Sequence, residues 1–414
     1  MRQMGQKSIL VASFGVFFLV MAFILIERPT AVAADEVVFA FIDDLSGPSS
    51  DVGEDGRKGI VLALEDVGYK VLGKKIKLVV RDTELKADVG VRRFREVVEQ
   101  EHPVMVAGGC NTGVQLAMMQ VAKETKTLFW SQGFGDAITA AGSVNRYVFR
   151  WDSTDYARAN CAVTGFMEKF PKAKTFFCIT SDYVWGRGLF DMVKEVVEKR
   201  GGKIVGNILT PLNETDYSGA VTKAIEAKPD VVVCNHFGAP LHKVARTAHE
   251  FGVKKYSKVL LPADGLTMLR GIGSEALEGM YVGLDWWHKL DNDFSRQFTA
   301  KFKKKYNMIP SFYAMCHYVS TVVTLKAMER IKSTDVNKVI CALEGYKYDG
   351  PTGKEEIRAF DHQVPHRLYL GIGKSPAKKE YDDDYVEIIG SAAVYKTYEQ
   401  NPVVWDLKLP CDKK

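Results

Sequence analysis

The sequence predicts an α/β protein of two lobes, each a parallel sheet with helices on both faces. Three observations predict it. Seven short β-branched or apolar runs recur between Val37 and Asp264: Val37–Ile42, Ile76–Val80, Val104–Ala107, Thr127–Trp130, Thr175–Ile179, Asp230–Cys234 and Val259–Leu261. Each leads through a turn of small polar residues into an amphipathic stretch, the alternation of strand and covering helix that buried parallel sheets show. At 414 residues the chain is also too long for one ordinary core and suits two domains.

Taken in order, the chain begins with Arg2 and Lys7, an apolar or small run from Ile9 to Ile26, and Ala31-Val-Ala-Ala34. This reads as a secretory signal covering residues 1–34, with small residues where a cut is expected. The apolar run exceeds the ~7–15 residues of an ordinary signal core, so an uncleaved membrane anchor is the rival. The A-x-A pattern favours cleavage and a periplasmic protein. No Cys directly follows the apolar run, so a lipid anchor is not expected.

Further along, Val91, Phe94, Val97 and Val98 share one helical face, with Arg92, Arg93, Arg95 and Glu96 on the other. Asp182–Trp185 is expected to end a strand, Gly186–Gly188 to form a turn, and Leu189–Lys199 to be helical. A further helix ends over Lys223–Lys228 before Pro229. Phe294, Phe298 and Phe302, spaced by four, mark a helix lying on a core. Long helices then run to about Leu343, followed by loop-like stretches at Tyr348–Gly353 and Asp361–His366.

Composition changes twice, near Arg150–Asp155 after a strand at Tyr147–Phe149, and near Ser274–Glu278 before a strand at Gly279–Gly283. The expected lobes are therefore residues 35–150 with 278–360, and residues 151–277 with 361–410. A cleft between two such lobes is a natural ligand site, because hinge closure buries a small molecule on all sides.

Net charge is +5; removing residues 1–34 deletes three basic residues and one acidic residue, leaving +3. With no long basic run, nucleic acid is not expected as a partner. The seven Cys match no metal or redox spacing, and an exported chain permits a bridge whose pairing the spacing leaves open. Cys178 and Cys234, at or near strand ends, fit small buried residues. The eight His offer no convincing metal set: His242 and His249 share a helical face without a third ligand, and Asp361, His362 and His366 lie in a Pro-containing loop. No nucleophile elbow, Walker sequence or complete dinucleotide fingerprint occurs. No catalytic residues, metal or cofactor are expected, and the protein is not expected to be an enzyme.

The strand-end turns read Asp44–Ser50, Gly108–Gly113 and Ser131–Gly135. They offer backbone amides and small hydroxyl or amide side chains, which suits capture of a molecule. In this respect the chain resembles the type 1 periplasmic solute-binding proteins of the leucine/isoleucine/valine-binding group. The resemblance spans the whole chain after the signal. It rests on Leu45-Ser-Gly-Pro48, Gly108-Gly-Cys-Asn-Thr112, Asp182-Tyr-Val-Trp-Gly186, Pro262-Ala-Asp-Gly265, the Phe298 to Tyr313 stretch and Asp361-His-Gln363. It implies a two-lobed Venus-flytrap fold with three crossovers, and a substrate-binding subunit that serves an ABC importer through a membrane permease. A ligand sensor of the same fold, or an exported enzyme with an unrecognised site, are the alternatives.

By resemblance, a ligand carboxylate is received by Asn111 and Thr112 and by Ser131, Gln132 and Gly133. The second lobe contributes aromatic lids at Trp185 and Phe237, with Tyr183 as a further candidate, and Asp264 as the acceptor of an ammonium. Helix N-termini suit an anion, although Asn111 also suits a plain helix cap. The chain departs from the amino-acid binders at Cys110-Asn-Thr-Gly113 and Trp130-Ser-Gln-Gly133, and Val52 stands where they carry an aromatic residue. Leu85 lies where a bridge partner for Cys110 is expected. The expected solute is a small amino acid, amide or aromatic carboxylate; the departures argue against an α-amino acid, and one polar turn set facing Trp185 and Phe237 favours a carboxylate or amide with an apolar or aromatic body.

Overall fold

The computed structural model describes residues 36–139, 143–392 and 411. The signal-like segment 1–34 lies outside the described residues, as does nearly all of 393–414. The first lobe opens with β1 (Glu36–Asp43), α1 (Ser50–Asp66), β2 (Lys70–Val71), β3 (Lys74–Asp82), α2 (Ala87–Glu101), β4 (Met105–Gly108), α3 (Thr112–Thr125), β5 (Phe129–Ser131) and β6 (Val148–Phe149). The second runs through α4 (Asp155–Lys169), β7 (Thr175–Ser181), α5 (Val184–Lys199), β8 (Lys203–Thr210), α6 (Ser218–Glu226), β9 (Val231–Asn235), α7 (Ala239–Glu250), β10 (Lys258–Asp264), α8 (Leu266–Ile272), α9 (Ser274–Leu277) and β11 (Tyr281–Leu284). Then follow α10 (Asp293–Tyr306), α11 (Phe312–Ile331), α12 (Val336–Leu343), the hairpin β12 (Lys347–Gly350) and β13 (Gly353–Glu356), and finally β14 (Leu368–Gly373) and β15 (Val386–Ala392).

Two sheets result, ordered β2-β3-β1-β4-β5-β6 and β15-β14-β11-β10-β9-β7-β8. Their interiors are parallel, as the apolar runs require; β2, β14 and β15 add antiparallel edges. Such edges are common on otherwise parallel sheets. All seven expected runs are strands, and so are Val148–Phe149 and Tyr281–Leu284. Strand β11 pairs with β10 and β14, so the chain stays in the second sheet up to Leu284, past the expected change at residue 278.

The first sheet is covered by α1, α2, α3 and the returning α10, α11 and α12. Phe94 of α2 meets Phe129 of β5 edge-on with ring centroids 5.5 Å apart, and both are fully buried. The stripe on α10 buries Phe298 and Phe302 completely, each worth about 2–3 kcal/mol of apolar burial. Phe294 is partly covered and faces Tyr318 on α11.

Three expectations are corrected. The helix after β7 starts at Val184, not Leu189, so Trp185, Gly186 and Gly188 lie in its first turns. Gly186 is where that turn presses on the strand: a Cβ there would stand 2.2 Å from the Ser181 carbonyl oxygen. Gly186, read as part of a turn, is thus needed for close packing. Secondly, the loop-like Tyr348–Gly353 forms most of a hairpin, with Tyr348 opposite Glu355. Thirdly, among the pairings the spacing left open, Cys341 on α12 joins Cys411, while Cys110, Cys161, Cys178, Cys234 and Cys316 are free and buried.

Three segments carry the chain between the lobes, near residues 149–155, 285–292 and 361–366, and the first and last of these run side by side. These two touch through a parallel bridge, Arg150 to Gln363. His362 stacks on Phe149 at 4.0 Å and His366 on Trp151 at 3.9 Å. Asp361 pairs with Arg358. The Asp361–His366 group is therefore spent on hinge packing, as its structural reading expects.

Candidate functional site

The strand ends of both sheets meet across a closed cleft. Gly238, before α7, has φ +63°, and a Cβ there would lie 2.9 Å from the Pro48 carbonyl oxygen of the first lobe. Thr267 Oγ1 of α8 donates to Asp55 Oδ2 of α1 at 2.7 Å. Between the walls remains a cavity of about 20 Å³, lined by Ser49, Cys110 and Asn111 on one side and Tyr183, Leu212 and Phe237 on the other. That is room for about one water. A larger depression, about 820 Å³, lies on the β12–β13 hairpin away from the strand ends.

On the first-lobe wall, most of the expected anion donors are engaged within the lobe, while Gln132 Nε2 is buried without a partner among the described residues. Asn111 is the N-cap of α3: its Oδ1 accepts from the amides of Gly113 at 3.0 Å and Val114 at 3.2 Å. Its capping reading is thus realised. Thr112 is buried, facing Gly135. Ser131 Oγ accepts from Gln115, Gln132 Oε1 pairs with His317, and the Gly133 amide donates to Asp152. The Gln132 amide donates to the Gly108 carbonyl at 2.9 Å. The floor is acidic: Asp43 Oδ1 accepts from the amides of Asp44 and Cys110, and the Cys110 thiol donates to Asp44 Oδ2 at 3.1 Å. Burial, reinforced by Asp43, pushes the Asp44 carboxyl up to about 6. Burial also drives the Cys110 thiol well above its ordinary value, so it serves as a proton donor.

Asp43, Asp44 and Cys110 gather donor atoms within metal-ligand reach, as do Cys341, Glu344 and Cys411. The first set is engaged in mutual hydrogen bonds and its thiol holds its proton. In the second, both sulfurs belong to the disulfide.

The second-lobe wall is aromatic. Trp185 and Phe237 are buried with centroids 5.7 Å apart, and Tyr183 lies 5.9 Å from Trp185. Burial, then Cys110, Asp155 and Asp44, push the Tyr183 hydroxyl well up, so its oxygen faces groups of both lobes. Asp264 ends β10; its side chain lies outside the described part of the structure. The fold thus brings Asn111, Tyr183 and Phe237 to one cavity and holds Trp185 beside them. Ser131 and Gly133 are tied into the first lobe.

Several residues here escaped the sequence reading. Phe134, in the coil after β5, is buried between the lobes, with centroids 5.7 Å from Phe237, 5.9 Å from Phe312, 6.0 Å from Tyr313 and 6.5 Å from Trp185. The Arg158 guanidinium of α4 lies 3.3 Å from the Phe134 centroid. Its Nε donates to Ser153 Oγ at 2.7 Å, and it pairs with Asp285. Burial pushes the Asp285 carboxyl up, but Arg158, His366 and Ser153 outweigh it and hold it below its ordinary value. Asp152, largely through burial, is raised to about 6, and Asp155 well above the carboxylate range. The available signal was the charged run Arg150, Asp152, Asp155, Arg158 directly after an apolar strand.

With that geometry in view, the sequence model of a family described as "Periplasmic binding protein" matches residues 36–377. A leucine-, isoleucine-, valine-, threonine- and alanine-binding protein of Pseudomonas aeruginosa is 24% identical over 346 residues, covering 81% of this chain and 90% of that one. An amino acid ABC transporter substrate-binding protein of Pseudomonas fluorescens is 31% identical, with TM-score 0.83 over 87% of this chain and 96% of that chain. A solute-binding protein of an ABC transporter from Rhodopseudomonas palustris, solved with 3,4-dihydroxy benzoic acid, is 21% identical, with TM-score 0.79 over 89% and 100%.

Proposed function

The chain belongs to the periplasmic binding protein family, and from that premise we propose that it captures a small acid or amide with an apolar or aromatic body and delivers it to an ABC permease. The observation that carries this reading is the cleft itself: rings from one lobe close over a polar strand-end wall from the other, leaving almost no void. Ring faces bury much area while freezing few rotamers, and a polar wall orients the guest. The Pseudomonas relatives are named for amino acids, which share a carboxylate with the proposed solute.

Residues 1–34 act as a cleaved export signal in this reading, and delivery occurs in the periplasm. Among the described residues no helix is long and apolar enough to cross a membrane. Asn111, Thr112, Ser131, Gln132 and Gly133 shape the polar wall, and Tyr183, Trp185, Phe237 and Asp264 the opposing one.

A thermal-shift screen over amino acids, aromatic acids, amides and urea tests the proposal, because a ligand that binds only the folded state raises Tm. Stabilisation by an acid or amide is expected. Stabilisation solely by sugars or metal ions would remove this solute class.

A further inference from the structure

The ring of Phe134 occupies a box drawn from both lobes. Phe312 and Tyr313 flank it from the first, Trp185 and Phe237 from the second, and the Arg158 guanidinium lies against its face. Four aromatic neighbours and a cation around one ring are what a flytrap presents to an aromatic guest. Here the chain supplies the guest. Phe134 sits in the coil Gln132–Gly135, with a glycine on either side.

The box also holds polar atoms that a benzyl side chain cannot satisfy. Among the described residues, Arg158 Nη1 and Trp185 Nε1 donate to nothing, although both residues are only 2% exposed. Asp155, one turn before Arg158 on α4, is fully buried and accepts from the Asp136 amide. Buried donors left unused are rare and costly in a finished structure. Arg158 is moreover held on three sides, by Ser153, by Asp285 and by the ring, so Nη1 is its one uncommitted edge.

We infer that this box is the ring subsite for an aromatic acid, which enters by displacing Phe134. Arg158 Nη1 and Trp185 Nε1 then donate to the ligand's oxygens. In the unliganded closed form Phe134 is a stand-in that competes for the same space. This rests on the proposed capture of acids in the cleft, and adds which space they take.

The test is calorimetric titration of the wild type and Phe134→Ala with 4-hydroxybenzoate and cyclohexanecarboxylate. Removing the competitor should tighten 4-hydroxybenzoate at least tenfold, and the variant should prefer it to the saturated acid at least tenfold. An unchanged or weakened affinity would make Phe134 a wall of the site and overturn the inference. Should Phe134→Ala not fold, 4-fluorophenylalanine in place of Phe134 gives a second readout. Its fluorine resonance must move as 4-hydroxybenzoate saturates the protein, and a resonance that stays put under saturation overturns the inference. If no aromatic acid binds either protein while aliphatic acids or amides raise Tm, the ring subsite is wrong and the capture function stands. If nothing in the screen binds, both fall.

Discussion

The two walls of the cleft solve the same problem differently. The first-lobe wall is rich in amides and hydroxyls, yet most of them are already spent: on the α3 cap, on Asp152, on Gln115 and on His317. The second-lobe wall is made of rings, yet beside them, among the described residues, stand a guanidinium edge and an indole N–H without partners. A polar composition therefore does not mean free hydrogen-bonding capacity, and an aromatic one does not mean its absence. Helix N-termini that look ready for an anion can be satisfied from within.

This contrast can be broken or sharpened by substitution. The largest effect is expected for Arg158→Gln, which leaves Asp285 buried without its partner. Losing one member of a buried pair costs about 3–5 kcal/mol, measurable by urea unfolding. A loss under 1 kcal/mol would mean that the pair is solvated and the second wall is not organised around it. Next comes Asp44→Asn on the first wall. The Asp44 carboxyl is held near 6, above the ordinary value of 3.8, so the folded state binds its proton more tightly than the unfolded chain does. Wild-type stability from this site is therefore lost as pH rises from about 4 through 6. The variant escapes that loss, and relative to wild type it should gain up to about 3 kcal/mol between pH 4 and pH 7.5. A pH-independent difference would show that the acidic floor is not buried in solution.

Smaller effects separate binding from folding. Trp185→Ala should weaken a bound acid by about 30-fold, roughly 2 kcal/mol, the size expected of a buried aromatic anchor. Its effect on unfolding should be much less. Unchanged affinity would remove Trp185 from the site. Asn111→Ala should cost about 1 kcal/mol of stability through the lost cap and little affinity. A binding loss tenfold beyond that would show the first wall touching the ligand directly.

Much of the framework is legible in the chain. The interior strands are continuous apolar runs because both their faces are covered, and such runs survive any local ambiguity. The strands that escaped notice are edges or near-edges. Strand β8 alternates and carries Gly206; β14 and β15 are interrupted by Gly371, Gly373 and Gly390. Their pairing is decided by neighbours distant in sequence. The site was legible only as a set of turns. Whether Asn111 caps or binds depends on where the Gly113 and Val114 amides point, which no spacing reveals. Nothing local marks Phe134 out in the sequence, and only the fold sets Trp185, Phe237, Phe312 and Tyr313 around it. Arg158 and Asp285 become partners only when α4 meets the end of β11.

The hinge has a mechanical consequence. Two of its crossing segments are joined edge to edge at Arg150 and Gln363, and the later one lays two imidazoles flat on two rings of the earlier one. Flat stacks resist being pulled apart far more than being turned about their common normal. Opening should therefore be a twist of whole lobes about these paired segments, with both stacks surviving, and the jaws should part most at the rim where Gly238 meets Pro48.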